Sequence, residues 1–214
     1  MGRVGEGVLS GLLPELPPGA FDRVDEADDG AFYAPPRLVH HIDDGAIAAL
    51  GDFYDRVLPR DGVLLDLMSS WVSHLPDDFP AAVIGHGMNS AELAANPRLS
   101  RWFVGDLNRD PALQLDDASC DGAMCCVSVQ YLLHPVEVFA EVRRVLRPGA
   151  PFVVSFSNRC FPTKAVAIWR SLDFRGHAAL VRLYFERAGF KDITINALAD
   201  GIYSDPLCAL VGRA

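Results

Sequence analysis

The residues most able to do chemistry stand where apolar runs stop. Val63-Leu64-Leu65 is apolar, Asp66 is acidic, and Leu67 and Met68 lead to the adjacent hydroxyls of Ser69 and Ser70. An apolar run ending on a carboxylate reads as a buried parallel strand that delivers its carboxyl end to a ligand. Ligands of open α/β sheets lie in the crevice beyond such ends. Ser69 and Ser70 can offer hydroxyls to that ligand, or cap a helix in an ordinary strand-to-helix turn. The same logic singles out Asp106 after Arg101–Gly105. It also singles out Ser128, Gln130 and Tyr131 after Asp121–Val127, and Asn158 and Arg159 after Pro151–Phe156. Tyr33 and Arg37 in FYAPPR add an aromatic face and a fork that can clamp an anion. His40, His41, His74, His86 and His134 are the available bases, although a lone histidine is more often a surface or capping residue.

The elements that must position these groups follow from periodicity. Met1 to about Gly30 is rich in Gly, Pro and acidic residues without a sustained period, which predicts a poorly ordered leader or an arm across the surface. Residues 31–60 read as an N-terminal helical cap segment. Pro35 and Pro36 keep its start extended, Asp43 or Asp44 caps a helix, and Ile47, Leu50, Tyr54, Val57 and Leu58 recur on one face until Pro59.

From residue 61 to 214 strands alternate with helices. Strands are expected at Val63–Asp66, Ala81–Gly85, Arg101–Gly105, Asp121–Val127, Pro151–Phe156, Phe190–Ala197 and Leu207–Val211. Helices are expected from Ser90 to Pro97, from Pro135 to Arg147, and over Thr163–Arg170 and His177–Ala188. Such alternation implies right-handed crossovers and a mostly parallel sheet with helices on both faces. The turn-rich ADGIYSDP between the last two strands implies a terminal hairpin and an antiparallel edge.

Composition limits the partners. The formal net charge of −9 argues against a broad nucleic-acid or anionic-membrane surface. No apolar run approaches the ~18–20 residues that span a bilayer, and the N-terminus makes a poor signal peptide. The five cysteines form no CxxC and no metal-ligand spacing, as expected of reduced, mostly buried thiols in a cytoplasmic protein.

Val63 to Ala214 resembles the class I S-adenosylmethionine-dependent methyltransferases, especially the type 11 group. Asp66–Val72, DLMSSWV, stands where that family has D-x-G-x-G-x-G. Val83–Asn89, VIGHGMN, stands for its second-strand segment, and Gly105-Asp106 for its third-strand GD. Leu113–Asp121, EVRRVLRPGA from Glu141 to Ala150, and YFERAGF from Tyr184 to Phe190 match later blocks in order. The departures are specific. Met68, Ser70 and Val72 replace three glycines, and Gly87 replaces the acidic residue that holds the ribose hydroxyls.

The resemblance implies a Rossmann-like seven-stranded sheet with an antiparallel last strand, S-adenosylmethionine as cofactor, and direct methyl transfer to a small-molecule acceptor. It assigns cofactor contacts to Asp66, Leu67, Met68, Ser69, Ser70, Gly87, Met88, Asn89, Asp106, Leu107, Val127 and Ser128, with Asn89 standing in for the missing acid at the ribose. Asp106 and Leu107 would meet the adenine, with Met88 packing on it. Tyr131 would wall the methyl-transfer end, and His41, in the segment that covers the cofactor in this family, is the favoured base. Tyr33, Arg37, Asn158 and Arg159 would bind the acceptor, and two arginines near one cleft suit a carboxylate or phosphate. No metal is expected. The departures leave open a catalytically silent binding or regulatory protein. A dinucleotide-dependent oxidoreductase fits less well, because GxGxxG is missing.

Overall fold

The computed structural model describes residues 13–214. A short helix α1 (Asp29–Tyr33) and a longer α2 (Asp44–Val57) precede the sheet. Then follow β1 (Val63–Leu67), β2 (Ala82–Gly87), α3 (Ser90–Ala95), β3 (Leu99–Val104), β4 (Gly122–Cys126), a 3₁₀ turn (Val129–Tyr131), α4 (Pro135–Val145), β5 (Pro151–Ser157), α5 (Ala167–Ser171), α6 (Phe174–Arg187), β6 (Lys191–Ala199) and β7 (Leu207–Arg213). The seven strands form one sheet in the order β3-β2-β1-β4-β5-β7-β6. β7 runs antiparallel to both β5 and β6, and every other pairing is parallel. The expected Rossmann-like sheet with an antiparallel last strand is therefore present.

Strand alternation divides the core. Leu64, Val83 and Met124 face α2, which buries Ala46, Leu50, Phe53 and Tyr54 against them. Leu65, Leu67, Cys125, Phe152 and Phe156 face the opposite way, onto Phe139 of α4 and Phe185 of α6. β5 is buried along its whole length, as a strand covered on both faces must be. β1 pairs with β2 on one side and β4 on the other, so the chain reverses direction across the sheet at its carboxyl end. That reversal opens the crevice that holds the candidate site.

The structure decides between two pairs of alternatives and moves one helix start. No helix joins β1 to β2; residues 68–81 run as irregular chain. Met68 and His74 hold left-handed backbone (φ 55° and 54°), and Pro76 and Pro80 disfavour helix before them, so no full turn can form. The serines that a helix would have used as caps spend their hydroxyls elsewhere. The leader, over its described residues 13–30, is a packed arm and not poorly ordered chain; residues 1–12 lie outside the described residues. Leu13 and Ala20 are buried, and Ala20 and Asp22 accept backbone hydrogen bonds from Ile168 and Ala167, each at 2.8 Å. Asp25 donates its N–H to Thr163. The helix expected from Thr163 starts instead at Ala167, because residues 163–166 serve the arm and the 3₁₀ turn. Among the described residues no helix is long and apolar enough to cross a membrane.

Candidate functional site

A cavity lies over the carboxyl ends of β1 to β4, under the segment that joins α1 to α2. Asp66 closes its floor. The side chain is buried, and its Oδ2 accepts from Ser69 Oγ at 2.6 Å and Ser73 Oγ at 2.7 Å. Burial pushes the carboxyl up to about 7, with the two hydroxyls pulling part of the way back. Among the described residues nothing donates to Oδ1. A buried carboxylate with hydroxyl neighbours but no cation must either take up a proton or find a cation outside the chain.

The chain after Asp66 is pinned on both sides. Ser69 donates its N–H to the His86 carbonyl at 2.6 Å, which extends the β1–β2 pairing past the strand. Asn96 donates to the Ser70 carbonyl at 2.9 Å and to Ser73 Oγ at 3.0 Å. This path brings the Ser69 carbonyl to 2.4 Å from where a Cβ on Gly87 would stand. Any side chain at 87 would collide with backbone, so the acid missing there is excluded by the way the preceding loop packs.

At the start of α3, Asn89 is buried and saturated. Its Oδ1 accepts from Ala91 N (2.9 Å) and Glu92 N (3.1 Å), and its Nδ2 donates to the carbonyls of Tyr33 (2.8 Å) and Ala34 (3.0 Å). All four hydrogen-bonding positions of the amide are in use. Asn89 therefore caps the helix and straps the covering segment, and cannot also serve ribose hydroxyls without breaking those bonds. Glu92, one turn on, lines the cavity instead. Its Oε1 accepts from Arg37 N and its Oε2 from Ser70 Oγ, both at 2.6 Å, leaving a second lone pair on each oxygen.

Beyond β3, half-buried Asp106 accepts from Asn108 N at 2.9 Å, and burial raises its carboxyl above the ordinary value. Leu107 is buried beside it. Beyond β4, Val127 holds left-handed backbone (φ 42°) and Ser128 Oγ donates to the Cys126 carbonyl at 2.8 Å. Tyr131 is buried, its hydroxyl accepts from Phe161 N at 2.8 Å, and its ring stacks on Phe161 with centroids 5.9 Å apart. Burial pushes the Tyr131 hydroxyl up to about 12, so it stays protonated near neutrality.

The covering segment is fastened from within. Trp71 Nε1 donates to the Val39 carbonyl at 3.1 Å, and the Arg37 guanidinium donates to the Phe32 carbonyl while lying 4.6 Å from the Phe32 ring. The His41 ring meets Phe161 edge-on at 5.6 Å. Burial holds His41 below the usual histidine range, against the pull of Glu92, and holds His74 at about 4. Both rings are neutral at pH 7, which a proton acceptor requires.

Comparison with known proteins agrees with this geometry. Residues 72–154 match the family profile described as "Methyltransferase domain". A malonyl-[acyl-carrier protein] O-methyltransferase from Marinomonas sp. (strain MWYL1) is 25% identical over 140 residues, 65% of this chain and 45% of that protein. The chain spans less than half the length of the curated relatives it matches, 45% of one and 18% of another. Among solved structures, a SAM dependent methyltransferase from Archaeoglobus fulgidus aligns at TM-score 0.61 and 13% identity, over 78% of this chain and 92% of its own. The chain has the fold of the class I S-adenosylmethionine-dependent methyltransferases. The [4+2]-cyclase SpnF shares the architecture at TM-score 0.60 and 16% identity, over 97% of this chain and 94% of its own.

Of the residues that the superfamily pattern pointed to, most meet at the cavity: Asp66, Met68, Ser69, Ser70, Gly87, Met88, Asn89, Asp106, Leu107, Val127, Ser128 and Tyr131, with Tyr33, Arg37, His41 and Arg159 around them. Leu67 does not, because it points into the core beside Leu65. Asn158 stays outside as an exposed side chain against Ser157 Oγ. Arg159 lines the mouth, but its Nε donates to Asp205 Oδ1 at 2.9 Å, the surface pairing that competes with acceptor binding. Sequence reasoning passed over Glu92 and Ser73. Glu92 stands three residues after Asn89, a capping pattern that points to helix chemistry alone. Ser73 lies seven residues from Asp66, and only the irregular loop brings them together.

Proposed function

We propose that the chain transfers the methyl group of S-adenosylmethionine to a small-molecule acceptor by direct displacement. The observation that carries this reading is Asp66: a buried carboxylate at the sheet's reversal point, lining a cavity, with one oxygen to which no described residue donates. The residues around the cavity fit the cofactor. Asp66 Oδ1 would take the ammonium, held in orientation by Ser69 and Ser73. Glu92 would accept from the ribose hydroxyls in place of the acid that Gly87 cannot carry. Asp106 would accept from the adenine amino group, with Leu107 and Met88 packing on the ring.

When bound, the cofactor supplies an activated methyl group on a sulfonium. The chain's own part is chiefly alignment, the main requirement of an in-line displacement. Tyr131, fixed by Phe161 N and by stacking, would wall the acceptor side. Neutral His41 would take a proton from an acceptor that carries one. Tyr33, Arg37 and Arg159 would hold the acceptor, and the reduced-thiol pattern of the five cysteines fits a cytoplasmic setting.

The test is calorimetric titration with S-adenosylhomocysteine, followed by a methyl-transfer screen with labelled cofactor. Micromolar binding that Asp66→Asn weakens supports the reading, and no binding at millimolar ligand removes it. A second reading rests on the SpnF likeness, because this architecture also carries a protein named as a cyclase. Tight binding of the cofactor product without transfer to any acceptor would favour such a role, or a silent binding protein.

A further inference from the structure

On the methyl-transfer reading, Asp66, Glu92 and Asp106 answer the ammonium, the ribose and the adenine of the cofactor, and its carboxylate still needs a donor. Ammonium and carboxylate hang on one carbon, so that donor must stand beside Asp66. Ser73 gives its Oγ to Asp66 Oδ2, and His74 is the next residue along the same cavity wall.

The fold places the His74 ring and does not use it. Nδ1 is buried without a partner, and among the described residues neither ring nitrogen makes a hydrogen bond. An unpaired buried polar group costs stability, so one at the edge of a cavity points to a ligand. The backbone at His74 is left-handed (φ 54°), which is uncommon outside glycine and persists only where the surroundings enforce it. The ring meets His40 edge-on at 5.9 Å, and His40 stacks on Trp71 at 5.0 Å, so its position is set before a ligand arrives.

The surroundings favour an anion. The charged groups that act on His74 are the His40 and His41 imidazoles, and no carboxylate is among them. His41 differs, because Glu92 acts on it and would repel a second carboxylate. Burial keeps His74 neutral near pH 7, with one N–H to give.

We infer that His74 donates a hydrogen bond to the carboxylate of the cofactor's amino-acid end, while Asp66 takes the ammonium on the same carbon. The inference rests on the methyl-transfer reading and assigns one further contact within that site. The competing donors are the N–H groups of residues 70–74, which no described residue accepts.

The test titrates the full chain calorimetrically with S-adenosylhomocysteine and with its decarboxylated counterpart, which keeps the ammonium and the adenosine. The parent should bind the carboxylate-bearing ligand at least about tenfold more tightly, the scale of one hydrogen bond to a charged group. His74→Phe keeps a flat ring against His40 and removes both nitrogens. It should lose about tenfold on S-adenosylhomocysteine and nothing on the decarboxylated ligand. His74→Gly, which suits left-handed backbone, should show the same pattern, and unchanged binding of the decarboxylated ligand shows that each variant is folded. A parent that binds both ligands equally would overturn the inference. Variants that keep the full preference would assign the carboxylate to the N–H groups of residues 70–74, and equal losses on both ligands in both variants would make His74 a structural residue. A parent that binds neither ligand removes the methyl-transfer reading and this one with it, whereas the other three adverse results sink this inference alone.

Discussion

Two aspartates line the same cavity, are equally hidden from solvent, and have opposite chemistry. Asp29 is 5% exposed and Asp66 is 3% exposed. Burial raises the carboxyl of Asp29, but hydrogen bonds from Arg23, Asn108 and Lys164 outweigh it and hold the group below its ordinary value. Asp66 has two serine hydroxyls and no cation, and stands at about 7. A buried carboxylate must be paired or must take up a proton. Asp29 finds its partners within the chain and is a clasp. Asp66 has no such partner among the described residues, and on the proposed reading that difference separates a structural carboxylate from a binding one.

The largest effect should come from breaking the clasp. Lys164 is fully buried, with its Nζ 3.0 Å from Asp29 Oδ1, 3.1 Å from Asp25 Oδ2 and 2.8 Å from the Ala27 carbonyl. Lys164→Met keeps the stem and removes the charge, leaving Asp29 with Arg23 as its only cation and Asn108 as its other donor. Truncating one partner of a buried pair costs about 3–5 kcal/mol. Chemical denaturation should register a loss of that size, and limited proteolysis should cut the arm before residue 30. An unchanged denaturation midpoint would mean that the arm is held by Leu13, Ala20 and its backbone bonds instead.

Asp66 should behave in the opposite sense. Asp66→Asn should weaken S-adenosylhomocysteine binding about a hundredfold, the scale of a lost buried charge-assisted contact, while the unliganded protein loses no stability at pH 8. The pH dependence follows from the position of this group. Its folded value of about 7 lies above its unfolded value of 3.8. Between those values the folded chain holds the extra proton, so Asp66 makes stability fall as pH rises from about 4 to 7, with no further effect above. The asparagine variant should lose that slope. A bound ammonium would reverse the preference and release a proton, so affinity should climb toward pH 7 and binding heats should vary with the buffer's ionisation enthalpy. Heats that are independent of buffer at pH 6.5 would show that Asp66 does not change protonation on binding.

The strand ends were legible in the sequence because burial on both faces writes itself as continuous apolar runs, such as VLL before Asp66 and AMCCV before Val127. Asp66 and Asp106 followed directly from where those runs stop. What stayed hidden depended on contacts between segments far apart in the chain. Gly87 reads as a lost acid until the Ser69 carbonyl is seen 2.4 Å from the Cβ it lacks. Asn89 looks like a free amide until the carbonyls of Tyr33 and Ala34, 56 and 55 residues away, take both of its protons. The helix that Ser69 and Ser70 could have capped does not form because two left-handed residues and two prolines interrupt the segment, and neither φ value can be read from residue type at Met68 or His74.

Glu92 gives a smaller and sharper test of the same comparison, because on the proposed reading it is a carboxylate shared between structure and ligand. Glu92→Gln keeps the shape and the first turn of α3 but halves the acceptor capacity of the head group. Affinity for S-adenosylhomocysteine should fall about tenfold, one charge-assisted hydrogen bond's worth, with a stability change below about 1 kcal/mol. Equal affinity of variant and parent would assign the ribose to another group. Parallel losses in affinity and stability would make Glu92 a fastener of Arg37 and Ser70 only.

The smallest stability effect belongs to Arg159. Its side chain is 62% exposed and its ion pair with Asp205 is open to solvent, a setting worth about 0–1 kcal/mol. Arg159→Ala should therefore leave thermal stability and S-adenosylhomocysteine affinity nearly unchanged while it weakens acceptor use. Asp205 would keep its two bonds with Asp43, one accepted from Asp43 N and one donated to Asp43 Oδ2, so the β6–β7 turn should hold its place. A loss confined to the acceptor's KM would place Arg159 in recognition. Equal losses in cofactor and acceptor affinity would show instead that the Arg159–Asp205 pair shapes the whole mouth, and that its charge is spent within the chain as the charge of Asp29 is.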